Sequence, residues 1–130
     1  AEGPLLVGNL TVATHLLGTP HCPDLAGRVL LLEDIGEAPY RIDRLLTHWR
    51  LSGALQQLAG LGFGRFEGCE APDDETRPGF SLEQVLRERS LDLGIPVVGG
   101  LPFGHGQPNA ALPLGRTVQL DGRSGSLSVL

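Results

Sequence analysis

Four consecutive aliphatic residues, Val29-Leu30-Leu31-Leu32, are the longest aliphatic run in the chain. A run without alternation is the pattern of a strand covered on both faces, which predicts a buried strand over Arg28–Glu33. Downstream, Ile42, Leu45, Leu46 and Trp49 fall at i, i+3, i+4 and i+7, one face of a helix. Pro39 suits the first turn of that helix and Gly53 its stop, with Asp34–Ala38 as the turn before it. Residues 4–8 read as a short strand. Asn9 or Thr11 then caps a brief helix carrying Leu10, Val12, Ala13, Leu16 and Leu17, which Gly18 and Pro20 end. Thr19–Gly27 is loop.

The second half continues in the same manner. Leu58–Phe66 is a glycine-punctuated strand, and Cys69–Phe80 is a polar, acidic excursion expected in solvent. Ser81 and Gln84 form a capping box ahead of Leu82, Val85 and Leu86. Ile95–Gly99 is another short buried strand. Ala111–Leu130 alternates as two strands joined near Asp121-Gly122, a hairpin signal. The order β-α-β-α-β-α-β-β-β predicts an α/β domain, a mixed sheet with flanking helices.

Composition narrows the function classes. The 130 residues suffice for one domain, 41% are hydrophobic and 19% charged, so the chain is globular. A net charge of -5 disfavours nucleic acid or an anionic membrane surface as partner. No apolar stretch approaches the ~20 residues that span a bilayer. The chain contains no methionine, so it reads as a processed chain or an excised domain, with more protein expected upstream of Ala1. Cys22 and Cys69 are expected as free thiols. Two cysteines that far apart announce neither a disulfide framework nor a metal site, and His21-Cys22 lacks the second pair that a metal would need.

One pair of residues carries candidate chemistry. Glu33 ends the buried strand, and His105 sits on the glycine-flanked loop that follows the Ile95–Gly99 strand. Ligands of open α/β sheets bind beyond the carboxyl ends of the strands, where both residues fall. An imidazole held by a carboxylate is the general-base half of an acyl-transfer triad; a surface hydrogen bond is the other reading of the same two residues. No nucleophile completes the set. Ser52, Ser81, Ser90, Ser124, Ser126 and Ser128 all lie outside a G-x-S-x-G elbow.

Longer motifs add a family. The run Leu31-Leu32-Glu33-Asp34-Ile35-Gly36-Glu37-Ala38-Pro39-Tyr40-Arg41-Ile42-Asp43-Arg44-Leu45-Leu46 resembles the signature of the LD-carboxypeptidases. These are serine peptidases that include murein tetrapeptide carboxypeptidase and the microcin C immunity proteins, so murein peptides and peptidyl-nucleotides are both open as substrates. Gly8-Asn9-Leu10, Leu16-Leu17-Gly18-Thr19-Pro20, Ile95-Pro96-Val97, Gly100-Leu101-Pro102-Phe103-Gly104-His105 and Leu112-Pro113-Leu114-Gly115 resemble the same family, in its order. The likeness spans nearly the whole chain but only the second half of the family.

The resemblance implies that residues 1–130 form a carboxy-terminal domain of swivelling β/β/α type. It would supply Glu33 and His105 to a Ser-Glu-His triad whose serine lies in an amino-terminal domain absent from this chain. It also implies a cytoplasmic enzyme without metal or organic cofactor, commonly a homodimer, that releases terminal D-alanine from murein tetrapeptide in peptidoglycan recycling. On that footing the isolated chain is expected to be inactive. Val7-Gly8-Asn9-Leu10 departs from the Gly-Gly-Asn-Leu that members often show. A non-catalytic muropeptide-binding or interaction module on the same scaffold is the alternative.

The remaining polar residues have plainer readings. Glu37 and Arg41 suit a surface ion pair, and Arg41 and Arg44 suit helix-surface charges paired with Glu37 or Asp43, against the option of meeting a substrate carboxylate. Trp49 belongs to the core. His15, His21 and His48 have no partner pattern.

Overall fold

The aliphatic run lies in the middle of a sheet, and its alternate side chains enter two different cores. The computed structural model describes residues 1–71 and 79–130. Its elements are β1 (Glu2–Asn9), α1 (Leu10–Thr14), β2 (Val29–Ile35), α2 (Pro39–Leu51), β3 (Gly60–Glu67), α3 (Leu82–Ser90), β4 (Val97–Val98), β5 (Thr117–Asp121) and β6 (Ser126–Val129). Single 3-10 turns at Leu55–Gln57 and Leu91–Leu93 follow α2 and α3. The strands form one mixed sheet in the order β4-β3-β2-β1-β5-β6. β1 to β4 are parallel, and β5 and β6 close the other side as an antiparallel hairpin.

Leu30 and Leu32 point to a core shared with Leu10 of α1, Ile42, Leu46 and Trp49 of α2, and Leu82 and Val85 of α3. All three helices therefore cover one face of the sheet. Full burial of the α2 stripe contributes about 1.5–3 kcal/mol for each large side chain. The Trp49 indole N–H donates to Thr14 Oγ1 at 2.8 Å, so its burial leaves no polar group unmet. Val29 and Leu31 face the opposite core, built with Leu5, Val98, Leu101, Phe103, Val118 and Leu120. That second face is covered by the loop that carries His105.

The glycines of β3 make this cover possible. A Cβ at Gly62 would collide with Leu31, and one at Gly64 would lie 2.6 Å from both the ring and the carbonyl oxygen of Phe103. Leu101 N–H donates to Phe63 O at 3.0 Å and Arg65 N–H to Phe103 O at 2.9 Å, pinning the loop along the strand. Opposite Glu33 the ladder is irregular. Leu32 pairs with Phe63 and Asp34 with Phe66, so β3 carries one extra residue there. Such a bulge keeps Phe63 and Phe66 both on the helical face, where their rings meet edge to face at 6.0 Å.

Several predicted bounds shift. The β2 strand runs past Glu33 through Asp34 and Ile35, residues expected in a turn, because β3 goes on pairing with it beyond the bulge. α1 stops at Thr14, leaving Leu16 and Leu17 in the turns that follow. β4 keeps only Val97 and Val98 of the predicted Ile95–Gly99, since the chain must leave the sheet to lie over β3. The capping box of α3 forms: Gln84 N–H donates to Ser81 Oγ at 3.2 Å and Ser81 N–H to Gln84 Oε1 at 2.9 Å. Glu70 and Phe80 are exposed, whereas Cys69 is buried; the rest of that excursion, 72–78, lies outside the described residues.

Gly64→Ala is expected to lower stability by about 1–3 kcal/mol through overpacking against Phe103. The readout is a lower urea midpoint with an unchanged slope, and an unmoved midpoint contradicts the packing of the loop on β3.

Candidate active site

Glu33 and His105 meet where the sheet ends. Glu33 follows Leu32 on β2 and is paired in register with Asn9, the last residue of β1. Its side chain is only 10% exposed, whereas that of His105 is 50% exposed. The expected contact is present: His105 Nδ1 lies 2.7 Å from Glu33 Oε2. The His105 backbone N–H donates to the same oxygen at 3.3 Å. The ring nitrogen and the backbone N–H of one residue, both on one oxygen, fix the imidazole plane relative to the carboxylate. Nε2, on the far edge of the ring, has no hydrogen-bond partner among the described residues.

Gly104 is needed for this approach. Its φ of 109° is one that L side chains rarely adopt. A Cβ there would lie 3.0 Å from Glu33 Oε2 and 3.0 Å from Glu33 Cβ. Asn109 Oδ1 accepts from Gly104 N–H at 3.2 Å and steadies the loop from its far side.

The second acid of the Glu-Asp pair is the residue that motif reading left without a role. Asp34 is 2% exposed. It accepts from Thr11 N–H at 2.9 Å, Thr11 Oγ1–H at 2.7 Å, Asn9 Nδ2–H at 3.0 Å and its neighbour Ile35 N–H at 2.8 Å. These donors match the four acceptor sites of a carboxylate, so the buried side chain leaves no lone pair unmet. Asn9 links the two acids: the same amide nitrogen lies 3.3 Å from Glu33 Oε1, while Asn9 Oδ1 accepts from Val12 N–H at 3.0 Å and caps α1. The cap was legible in the sequence. The bridge was not, because nothing in the spacing of Asn9 and Glu33 tells that β1 and β2 are neighbours in register.

A cleft of about 650 Å³ opens over the pair, lined by Val7, Gly8 and Asn9 on one side and Ala110, Leu112 and Leu114 on the other. A half-exposed imidazole at a cleft wall, gripped from behind by a buried carboxylate, can accept a proton at Nε2 while the carboxylate stabilises the imidazolium.

A match to the family described as the LD-carboxypeptidase C-terminal domain covers residues 2–120. The chain belongs to this family. It is 55% identical over its full length to a putative carboxypeptidase of Synechocystis sp., of which it covers 42%. It is 39% identical over 126 residues to the murein tetrapeptide carboxypeptidase of Pseudomonas aeruginosa, covering 93% of this chain and 38% of that protein. Among solved structures, the muramoyltetrapeptide carboxypeptidase of Oxalobacter formigenes superposes with a TM-score of 0.85 at 38% identity, over 98% of this chain and 44% of that one. The chain thus spans less than half the length of these relatives.

Other predicted residues fall away from the cleft. Arg41 pairs with Glu37 at 3.5 Å on the surface, as its spacing suggested. Asp43 pairs with Arg89 of α3 at 2.5 Å, where a partner on its own helix was expected; packing of α2 on α3 supplies the closer guanidinium. Arg44 is exposed and lines no part of the cleft. His15, His21 and His48 are exposed. Cys22 and Cys69 are free thiols; burial pushes the Cys69 thiol up from its ordinary range. Among the described residues no three His, Cys, Asp or Glu side chains gather as a metal site, and no described helix is long and apolar enough to cross a membrane.

Asp34→Ala leaves four donors facing a void and is expected to cost about 3 kcal/mol or more, against about 1 kcal/mol for Thr11→Val, which removes a single donor. Urea denaturation of both variants checks this. Equal losses contradict the role given to the buried carboxylate.

Proposed function

We propose that residues 1–130 are the carboxy-terminal domain of a serine LD-carboxypeptidase. They supply Glu33 and His105, and a separate amino-terminal domain supplies the nucleophilic serine and the oxyanion donors. The observation that carries this reading is the 2.7 Å contact between His105 Nδ1 and Glu33 Oε2, at a cleft wall and with Nε2 left open. The substrate would be a murein tetrapeptide, the molecule for which the Pseudomonas relative is called, and the product terminal D-alanine, in peptidoglycan recycling. A cytoplasmic setting and a homodimer come with the family resemblance and belong to the same proposal.

The chemistry follows from the ring. Glu33 accepts a hydrogen bond from Nδ1–H, which leaves the Nε2 lone pair directed outward. His105 Nε2 takes the proton of the serine hydroxyl as its oxygen bonds to the carbonyl carbon of the L,D-peptide bond. The imidazolium is stabilised by Glu33 and gives the same proton to the departing amine of D-alanine as the C–N bond breaks. Water then repeats the sequence on the acyl-enzyme: His105 removes its proton and returns one to the serine oxygen. Proton transfer through an imidazole calls on no metal or organic cofactor.

In the longer protein, His105→Ala is expected to lower kcat/KM for D-alanine release by about four orders of magnitude or more, and Glu33→Gln by somewhat less. Unchanged release in either variant contradicts the triad. The isolated chain should release no D-alanine, since it lacks the groups that form and hold the tetrahedral intermediate. Release by this chain that disappears when one of its own serines is replaced would place the nucleophile here instead.

A further inference from the structure

The sheet has an edge with a polar pair that it does not use. Leu5 donates its N–H to Arg116 O at 2.9 Å and accepts from Gly115 N–H at 2.8 Å, so both of its main-chain groups face the β5 side of β1. Main-chain direction repeats every second residue along a strand. Val7 therefore presents its N–H and C=O on that same side. Among the described residues no strand covers it there. β5 pairs with β1 only over Glu2–Pro4. The segment bonded to Leu5 bends away through a turn in which Arg116 N–H donates to Pro113 O at 3.2 Å. The sheet splits at this point, and the split is the cleft that Glu33 and His105 line.

We infer that the open edge of β1 at Val7 holds the main chain of an extended peptide by strand addition. Val7 N–H donates to a peptide carbonyl, and Val7 C=O accepts from a peptide N–H. Val7 is half-buried, and main-chain groups left unpaired there favour a partner that meets both, which a peptide does at strand spacing. The register suits the chemistry. Asn9 is level with Glu33, so Val7 lies two residues, about 7 Å, along the strand from the acid. A peptide held at Val7 reaches His105 within one or two residues. Leu112 and Leu114, the latter 65% exposed, form the facing wall against which alternate side chains of the peptide pack. That the peptide is a murein peptide rests on the proposed function; the strand-addition contact itself does not.

The test is amide NMR of the isotope-labelled chain titrated with a synthetic tetrapeptide ending in L-lysyl-D-alanine at millimolar concentration. The Val7 amide is expected to shift and to exchange with solvent about tenfold more slowly at saturation. Val7→Pro deletes the donor while sparing the bonds to β2, as proline does on an edge, and should weaken binding about tenfold. Should that variant fail to fold, the same tetrapeptide N-methylated at its amides puts the question to the unaltered chain, with the same loss expected. A Val7 amide unmoved by the tetrapeptide overturns the inference, as does a methylated peptide that binds as tightly as its parent. The readout is binding without turnover, so a failure of hydrolysis in the longer protein counts against the proposed function alone.

Discussion

Two adjacent carboxylates buried at the end of a strand covered on both faces are the constraint around which the rest of this domain is arranged. Removing a carboxylate from water costs several kcal/mol after relaxation, and two neighbours of like charge add repulsion. The structure offsets this with donors from three separate segments. Thr11 and Ile35 bond Asp34, His105 brings both a ring nitrogen and its backbone N–H to Glu33, and Asn9 shares one amide between the acids. Apart from the adjacent Ile35 N–H, these donors reach the acids only when β1, β2 and the loop after β4 are in place. The polar cluster and the fold are therefore specified together.

The loop is the member with least regular structure, and β3 is what holds it. Alternate glycines on one face of that strand remove the side chains that would lift the loop off the sheet, and Phe103 lies in the space left at Gly64. The bulge opposite Glu33 keeps the aromatic residues of β3 in the helical core while Arg65 N–H stays bonded to Phe103 O. A histidine on a loop this firmly backed has the precision that general-base chemistry asks of it.

Much of this was legible in the residues. The unbroken aliphatic run marked β2 because burial on both faces removes any need for polar alternation, and the spacing of Ile42, Leu46 and Trp49 gave α2. Glu33 and His105 were visible as candidates because a strand terminus and a glycine-flanked loop are where chemistry is placed. Other features lay beyond a one-dimensional pattern. β4 shrinks to two residues, and β2 continues through Asp34, for reasons that belong to neighbouring strands. Asp34 itself reads as an ordinary turn acid until Thr11 and Asn9 are seen beside it. The glycines of β3 read only as punctuation of a strand until the histidine loop is seen lying against them.

The central claim is that Glu33 sets the state of His105, and the ring nitrogens report on it directly. In the neutral imidazole of the folded chain, nitrogen-15 shifts should show the proton on Nδ1 and a bare Nε2, the tautomer that can accept a proton from a nucleophile. Glu33→Gln should mix the two tautomers. A neutral ring in the native chain that carries its proton on Nε2 would contradict the account, because the nitrogen facing the cleft would then be a donor with no lone pair to offer.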